Sequence, residues 1–122
     1  MTDDTIQAQT QSFVQELRRG VIILAVLSQL YEEQYGYSLM KCLEDQGMQI
    51  DQGTLYPLLR RLEEQELLKS TWQVETSRPR RYYLLSDLGK EVVKEMTDEW
   101  SKIKEIVDNL LLYEKENENE IH

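Results

Sequence analysis

Histidine, cysteine and proline are nearly missing from this chain, whose 122 residues hold one histidine, one cysteine and two prolines. The histidine is the final residue, His122, so no histidine base and no histidine-containing metal cluster can be placed within the fold. A single thiol, Cys42, excludes an intrachain disulfide and agrees with a reducing compartment. It has no candidate base beside it and is expected to be a small packing residue. The carboxylates are numerous but follow no recognisable acid–base spacing. No catalytic residue, metal or cofactor is expected, and the chain does not read as an enzyme. Long apolar runs are missing too. The longest, residues 21–27, is far too short for a bilayer and ends at Ser28-Gln29. The first residues show no basic start followed by an apolar segment and a small-residue cleavage site. A cytoplasmic protein without a membrane partner is the expectation.

What is present is ordinary for a folded domain: 40% hydrophobic and 30% charged residues. The length suits one domain, or one domain with an accessory helix. The net charge of −9 counts against nucleic-acid binding, but its distribution softens the objection. Residues 1–35 carry 2 basic and 5 acidic side chains, residues 36–83 carry 7 of each, and residues 84–122 carry 5 basic and 11 acidic. Screening confines surface charge to about 10 Å at 0.1 M salt, so a basic cluster can act on an acidic protein. The middle third is the candidate surface for a polyanion.

Within that third, residues 51–67 organise the chain. Leu55, Leu58, Leu59 and Leu62 follow the i, i+3, i+4, i+7 spacing of one buried helical face. Gly53, Pro57, Arg60 and Glu64 point the opposite way, with Tyr56 and Arg61 on the flanks. Asp51 is placed to cap the helix. Pro57, at the sixth helical position, removes a backbone hydrogen bond, at roughly 3 kcal/mol in a helix interior, so a bent or loosened first turn is expected.

Before this stretch, residues 1–11 are polar and expected to be a flexible segment. Ser12 with Gln15 and Glu16 reads as a capping box opening a first helix, with Phe13, Leu17, Val21, Leu24, Leu27 and Tyr31 along one stripe. Between Val21 and Leu27 it is apolar nearly all round, as a central buried helix should be. Tyr35-Gly36-Tyr37-Ser38 reads as a turn into a second helix with Leu39, Met40 and Leu43 inward, ended by Gly47 in a left-handed conformation. After it, residues 68–74 and 80–85 form a β-hairpin, Leu68, Trp72 and Val74 sharing one face and Tyr83 and Leu85 another. Glu75-Thr76-Ser77-Arg78-Pro79 connects the strands, with Arg78, Arg80 and Arg81 at or near the tip. Ser86 caps a final helix in which Met96, Trp100, Ile103, Val107 and Leu110 step as a heptad seam, extended backwards by Leu88, Val92 and Val93. The simplest partner for that seam is the same helix of a second chain. The tail after Tyr113 is expected to be disordered.

The fold class is therefore mainly α with a small β-hairpin. A winged helix-turn-helix spans residues 12–85, a dimerisation helix residues 86–113 and a disordered acidic tail residues 114–122. The DNA-facing set is Tyr37, Lys41, Gly53, Thr54, Tyr56, Pro57, Arg60, Arg61, Lys69, Arg78 and Arg80. The alternatives are bland: Arg60 and Arg61 as a solvated face, Tyr56 packed on the second helix, Tyr37 in the core, Arg81 paired with Glu63 or Glu64. Val92, Met96, Trp100, Ile103, Val107 and Leu110 form the dimerisation set. Trp100, with Ile103, Asp98 and Glu99, either receives a flat aromatic or cationic ligand or only packs the dimer.

The strings Y-G-Y-S-L (residues 35–39), G-T-L-Y-P-L-L-R-R-L-E (53–63), P-R-R-Y-Y-L-L-S (79–86) and the glycine at Gly89 resemble the PadR family of bacterial transcriptional regulators. The resemblance covers roughly residues 16–112. The single C-terminal helix, with E-W-S-K-I at residues 99–103, is similar to the compact branch, some of whose members are multidrug-sensing repressors with a tryptophan from each subunit lining an interface pocket. The resemblance implies a homodimer repressing transcription from an inverted-repeat double-stranded DNA operator, with the third helix in the major groove, the wing toward backbone or minor groove, and small aromatic or amphipathic effectors. The chain departs from the family in the turn after the recognition helix, where Glu66 stands in place of glycine. Two rivals remain: a winged-helix module that binds a protein instead of DNA, and a DNA-binding dimer without an effector.

Overall fold

The computed structural model describes residues 2–75 and 77–121, with the side chains of Glu75, Glu114, Asn119, Glu120 and Ile121 not described. Among the described residues, four helices and three strands follow in the order α1 (Asp3–Ser28), β1 (Gln34–Tyr35), α2 (Gly36–Asp45), α3 (Gln52–Glu64), β2 (Leu68–Glu75), β3 (Arg78–Leu85) and α4 (Asp87–Ile121). The strands form one antiparallel sheet in the order β1-β3-β2. This is a winged helix-turn-helix with a long C-terminal helix, as the pattern of residues led one to expect.

The core lies where α1, α2, α3 and the inner face of the sheet meet. Val26, Leu27, Leu30, Leu39, Leu55 and Leu59 are fully buried, joined by Leu43, Leu62, Leu68, Tyr83, Leu85 and Val93. Each such leucine contributes about 1.5–3 kcal/mol by leaving water. The two helix–turn junctions are built alike. After α2, Met48 N–H donates to Leu43 C=O (2.8 Å) and Gly47 N–H to Glu44 C=O (2.9 Å), with Gly47 at φ +92°. After α3, Leu67 N–H donates to Leu62 C=O (3.0 Å) and Glu66 N–H to Glu63 C=O (2.9 Å), with Glu66 at φ 66°. Both satisfy the last carbonyls through a left-handed residue, and in the second the chain places glutamate there. Ser86 caps α4: its hydroxyl accepts from Gly89 N–H (2.9 Å) and donates to Glu66 C=O (2.6 Å), which fastens α4 to the turn after α3.

Several expectations are corrected. The first helix opens at Asp3, not Ser12: Thr2 caps it, accepting from Thr5 N–H, and Asp3 and Asp4 complement its dipole. Its early stripe is not buried in one chain, since Phe13 is 68% and Leu17 74% exposed. Residues 34–35 form a strand instead of a turn, because β3 supplies hydrogen-bonding partners beyond the hairpin. The first turn of α3 is closed and the helix runs unbroken through Pro57. Pro57 is exposed, and the carbonyl it frees belongs to exposed Gly53, where water can bond it. On β2, Leu68 is buried whereas Trp72 and Val74, further along the same face, are exposed, because the sheet outruns the core toward the wing tip. Beyond Tyr113 the chain continues as α4 to Ile121. Met1, His122 and the connector's Thr76 lie outside the described residues.

Candidate nucleic-acid interface

Helix α3 is held from one side only. Leu55, Leu59 and Leu62 are buried, while Gly53, Thr54, Pro57, Arg60, Arg61 and Glu64 are exposed. Asp51 caps it, its carboxylate accepting from Thr54 N–H at 2.7 Å. Among the described residues, neither Arg60 nor Arg61 has an ion-pair partner. Tyr56 is half-buried against α2, its ring lying over Gly36, where a Cβ would stand 2.3 Å from the ring carbon Cε1. The packing alternative for Tyr56 thus describes its ring.

The wing is fixed to α3 by a polar strut. Arg81 pairs with Glu63 and also donates to the Ser70 hydroxyl (3.0 Å), which in turn donates to Glu63. Its guanidinium lies 5.5 Å from the Tyr83 ring centroid and 5.8 Å from that of Trp72. Burial pushes the Tyr83 phenol above its ordinary value, and the Arg81 charge opposes that rise. Arg81 is therefore structural, while Arg78 and Lys69 are exposed on the wing.

On the other face of the sheet, Arg80 stacks on Tyr35 at 4.5 Å from the ring centroid. Tyr35 contacts Tyr82 (5.4 Å) and stacks with Tyr37 (6.4 Å), and Lys41 Nζ stands 6.0 Å from the Tyr37 ring. Tyr37 is 53% exposed, which removes its core alternative. The eleven candidate DNA-facing residues thus fall on α2, α3 and the wing. Sequence reasoning missed Tyr35 and Tyr82, although alternation along β3 puts Tyr82 with Arg80. It also missed α1: Arg18 donates to Gln49 C=O (2.9 Å) ahead of α3, and Arg19 shares a cleft with Thr54, Pro57 and Arg61. The adjacent Arg18-Arg19 pair, the only basic residues before α2, was the available signal.

The second candidate region is an open apolar groove of about 510 Å³ between α1 and α4. Trp100, Ile103, Met96 and Glu99 line one wall and Glu16, Leu17, Gly20, Val21 and Leu24 the other. Asp98 does not line it and is exposed. Along the seam, Val92 and Met96 are half-buried, whereas Trp100, Ile103, Val107 and Leu110 are 41–61% exposed. Among the described residues, no group of histidine, cysteine and carboxylate side chains could hold a metal, and no helix is long and apolar enough to cross a membrane.

A helix-turn-helix with a two-stranded wing and a C-terminal helix defines the winged-helix class of transcriptional regulators. Residues 23–95 match the transcriptional regulator PadR-like family, and the chain belongs to that family. It is similar to the crystal structure of a PadR family transcriptional regulator from Eggerthella lenta, with 46% identity, a TM-score of 0.83, and coverage of 88% of this chain and 96% of that one. It is 34% identical to the transcriptional regulator Rv3488 of Mycobacterium tuberculosis over 83 residues, 67% of this chain and 78% of that protein. It is also 33% identical to an uncharacterized protein X of Lysinibacillus sphaericus over 91 residues, 71% of this chain and 82% of that protein. Family and fold are those of transcriptional regulators, not of enzymes.

Proposed function

We propose that the protein is a homodimeric repressor that binds double-stranded DNA at an inverted repeat and is released by a small aromatic or cationic effector. The observation that carries the DNA reading is α3: its apolar face is buried and its opposite face offers Arg60 and Arg61, neither of which forms an ion pair among the described residues. Side chains near the start of the helix, Thr54 and Gly53 with Pro57, suit close approach to base edges, while Lys41, Lys69 and Arg78 suit phosphates. The acidity of the chain is concentrated in residues 84–122, away from this face in sequence.

Dimerisation is supported by the apolar seam of α4. Monomers rarely leave so long a row of large apolar residues in water, and a two-fold partner would cover it. Two copies of α3 then need a separation of about 34 Å to enter successive major grooves. Effector binding is supported by the groove at Trp100, whose indole offers a stacking face and whose rim carries Glu16 and Glu99. An occupant wedged between α1 and α4 would alter the spacing of the two recognition helices.

The test is a gel shift with a duplex carrying the region upstream of the protein's own gene, against a random duplex of equal length. Preferential retardation of the upstream duplex is expected. Equal affinity for both, or none for either, contradicts the reading and leaves the protein-interaction alternative.

A further inference from the structure

Three of the DNA-facing candidates, Arg80 on the wing and Tyr37 and Lys41 on α2, are joined by one residue that is not among them. Tyr35 lies between Arg80 (4.5 Å) and Tyr37 (6.4 Å) and is braced from the side by Tyr82 (5.4 Å). The register explains why. Gln34 pairs with Tyr83 and Tyr35 with Tyr82, so β1 runs in the direction of the wing tip and α2 begins at the tip-facing end of β1. Arg80 and Tyr82, two apart on β3, share the face on which Tyr35 projects. The result is a continuous row of cation, ring, ring and cation, ending at Lys41 beside Tyr37 (6.0 Å).

We propose that Tyr35 is a positioning residue for DNA binding, holding the Arg80 guanidinium and the Tyr37 ring as one rigid edge, so that the wing and the first turn of α2 meet the DNA backbone in fixed register. The inference rests on the DNA-binding reading above. A guanidinium within about 6 Å of a ring centroid is attracted by the ring's negative face. An arginine stacked before docking has already given up much of its rotamer freedom, so less is lost when a phosphate is met. Arginine suits this better than lysine because its flat fork can stack and hydrogen-bond at once. Tyr35 can serve both neighbours because β3 fixes its backbone and its side chain is only half-buried.

The experiment measures binding of the full chain to its upstream duplex by fluorescence anisotropy over a range of salt. The variants are Tyr35→Phe, Tyr35→Leu, Arg80→Ala, Arg80→Lys and the double Tyr35→Leu/Arg80→Ala. Tyr35→Phe keeps the ring and should bind within about twofold of wild type. Tyr35→Leu should weaken binding about 5- to 30-fold, the effect of removing one such stacking interaction in each subunit. Its salt slope should stay that of wild type, because every cation remains, whereas Arg80→Ala should flatten the slope by about 0.9 per phosphate lost. The double variant should lose less than the sum of the two single losses, since both changes remove the Arg80–Tyr35 stack while the Tyr35–Tyr37 contact is lost only once.

Additive losses in the double variant, or Tyr35→Phe as weak as Tyr35→Leu, overturn the proposal. Wild-type affinity in Tyr35→Leu with a loss in Arg80→Ala also overturns it while the DNA reading stands. No preference of the wild-type chain for its upstream duplex fails both. Should Tyr35→Leu not fold, Arg80→Lys decides: weakened binding at an unchanged salt slope supports the stacked arginine, and wild-type binding refutes it.

Discussion

Gly36 and Tyr56 occupy one another's space: the Tyr56 ring lies where any side chain at position 36 would begin. This contact sets how the first turn of α2 seats the middle of α3. Gly36→Ala should cost about 1–3 kcal/mol, the usual range for overpacking a filled site. Urea unfolding of Gly36→Ala, Tyr56→Ala and the double variant measures it. The double should be less destabilised than the two single losses together, because removing the ring makes room for the methyl. Strict additivity would show that the two positions do not compete.

A second close approach fastens α4. A Cβ at Gly89 would stand 2.1 Å from the Leu67 carbonyl oxygen, which accepts from Ser86 N–H at 3.0 Å. Backbone cannot yield there as a side-chain tip can. Gly89→Ala should therefore destabilise by at least about 3 kcal/mol, beyond ordinary overpacking. Thermal unfolding followed by circular dichroism checks this, and a melting point like wild type would contradict it.

The turn after α3 predicts the opposite sign. Glu66 sits at φ 66°, a conformation that disfavours side chains by roughly 1–2 kcal/mol, while glycine loses about 0.5–1 kcal/mol through its freer unfolded chain. Glu66→Gly should stabilise by about 0.5–1 kcal/mol in urea unfolding. A destabilisation would mean that the Glu66 side chain contributes something beyond its backbone geometry.

The Glu63–Arg81–Ser70 strut predicts a loss on truncation. The pair is partly solvated, with side chains 34% (Arg81) and 25% (Glu63) exposed, so its contribution is discounted for screening. Glu63→Ala should cost about 1–2 kcal/mol and loosen the wing against α3. Hydrogen exchange of the β2 and β3 amides reads the second effect directly. Unchanged protection there would separate the wing from the strut.

How much of this was legible depended on range. The four leucines of α3, the Ser86 cap and the left-handed Gly47 were readable because each rests on spacing within a few residues. Alternation along β3 separates Tyr83 and Leu85 from Tyr82, and along β2 it puts Leu68, Trp72 and Val74 on one face, but it does not tell how far the core reaches, so the exposure of Trp72 and Val74 was not readable. β1 exists only through its pairing with β3 and has no local signature in two residues. The extension of α1 to Asp3 was hidden by polar residues without periodicity. For the candidate site, the arginines of α3 and the wing were legible as basic residues. The division of labour between Arg80, stacked on Tyr35, and Arg81, paired with Glu63, follows from tertiary contacts. The α1 wall of the Trp100 groove was invisible for the same reason.

The central claim is that α3 and the wing bind a DNA backbone twice over, once from each subunit. It is tested most directly by the salt dependence of affinity for the upstream duplex, measured for the wild type, Arg60→Ala and Arg78→Ala. If about five phosphates are neutralised per subunit, a plot of log affinity against log salt has a slope near −9, by counterion release of about 0.9 per phosphate. Each substitution should weaken binding and flatten the slope by about 2 per dimer. A flat plot, or both variants binding as wild type, contradicts the account.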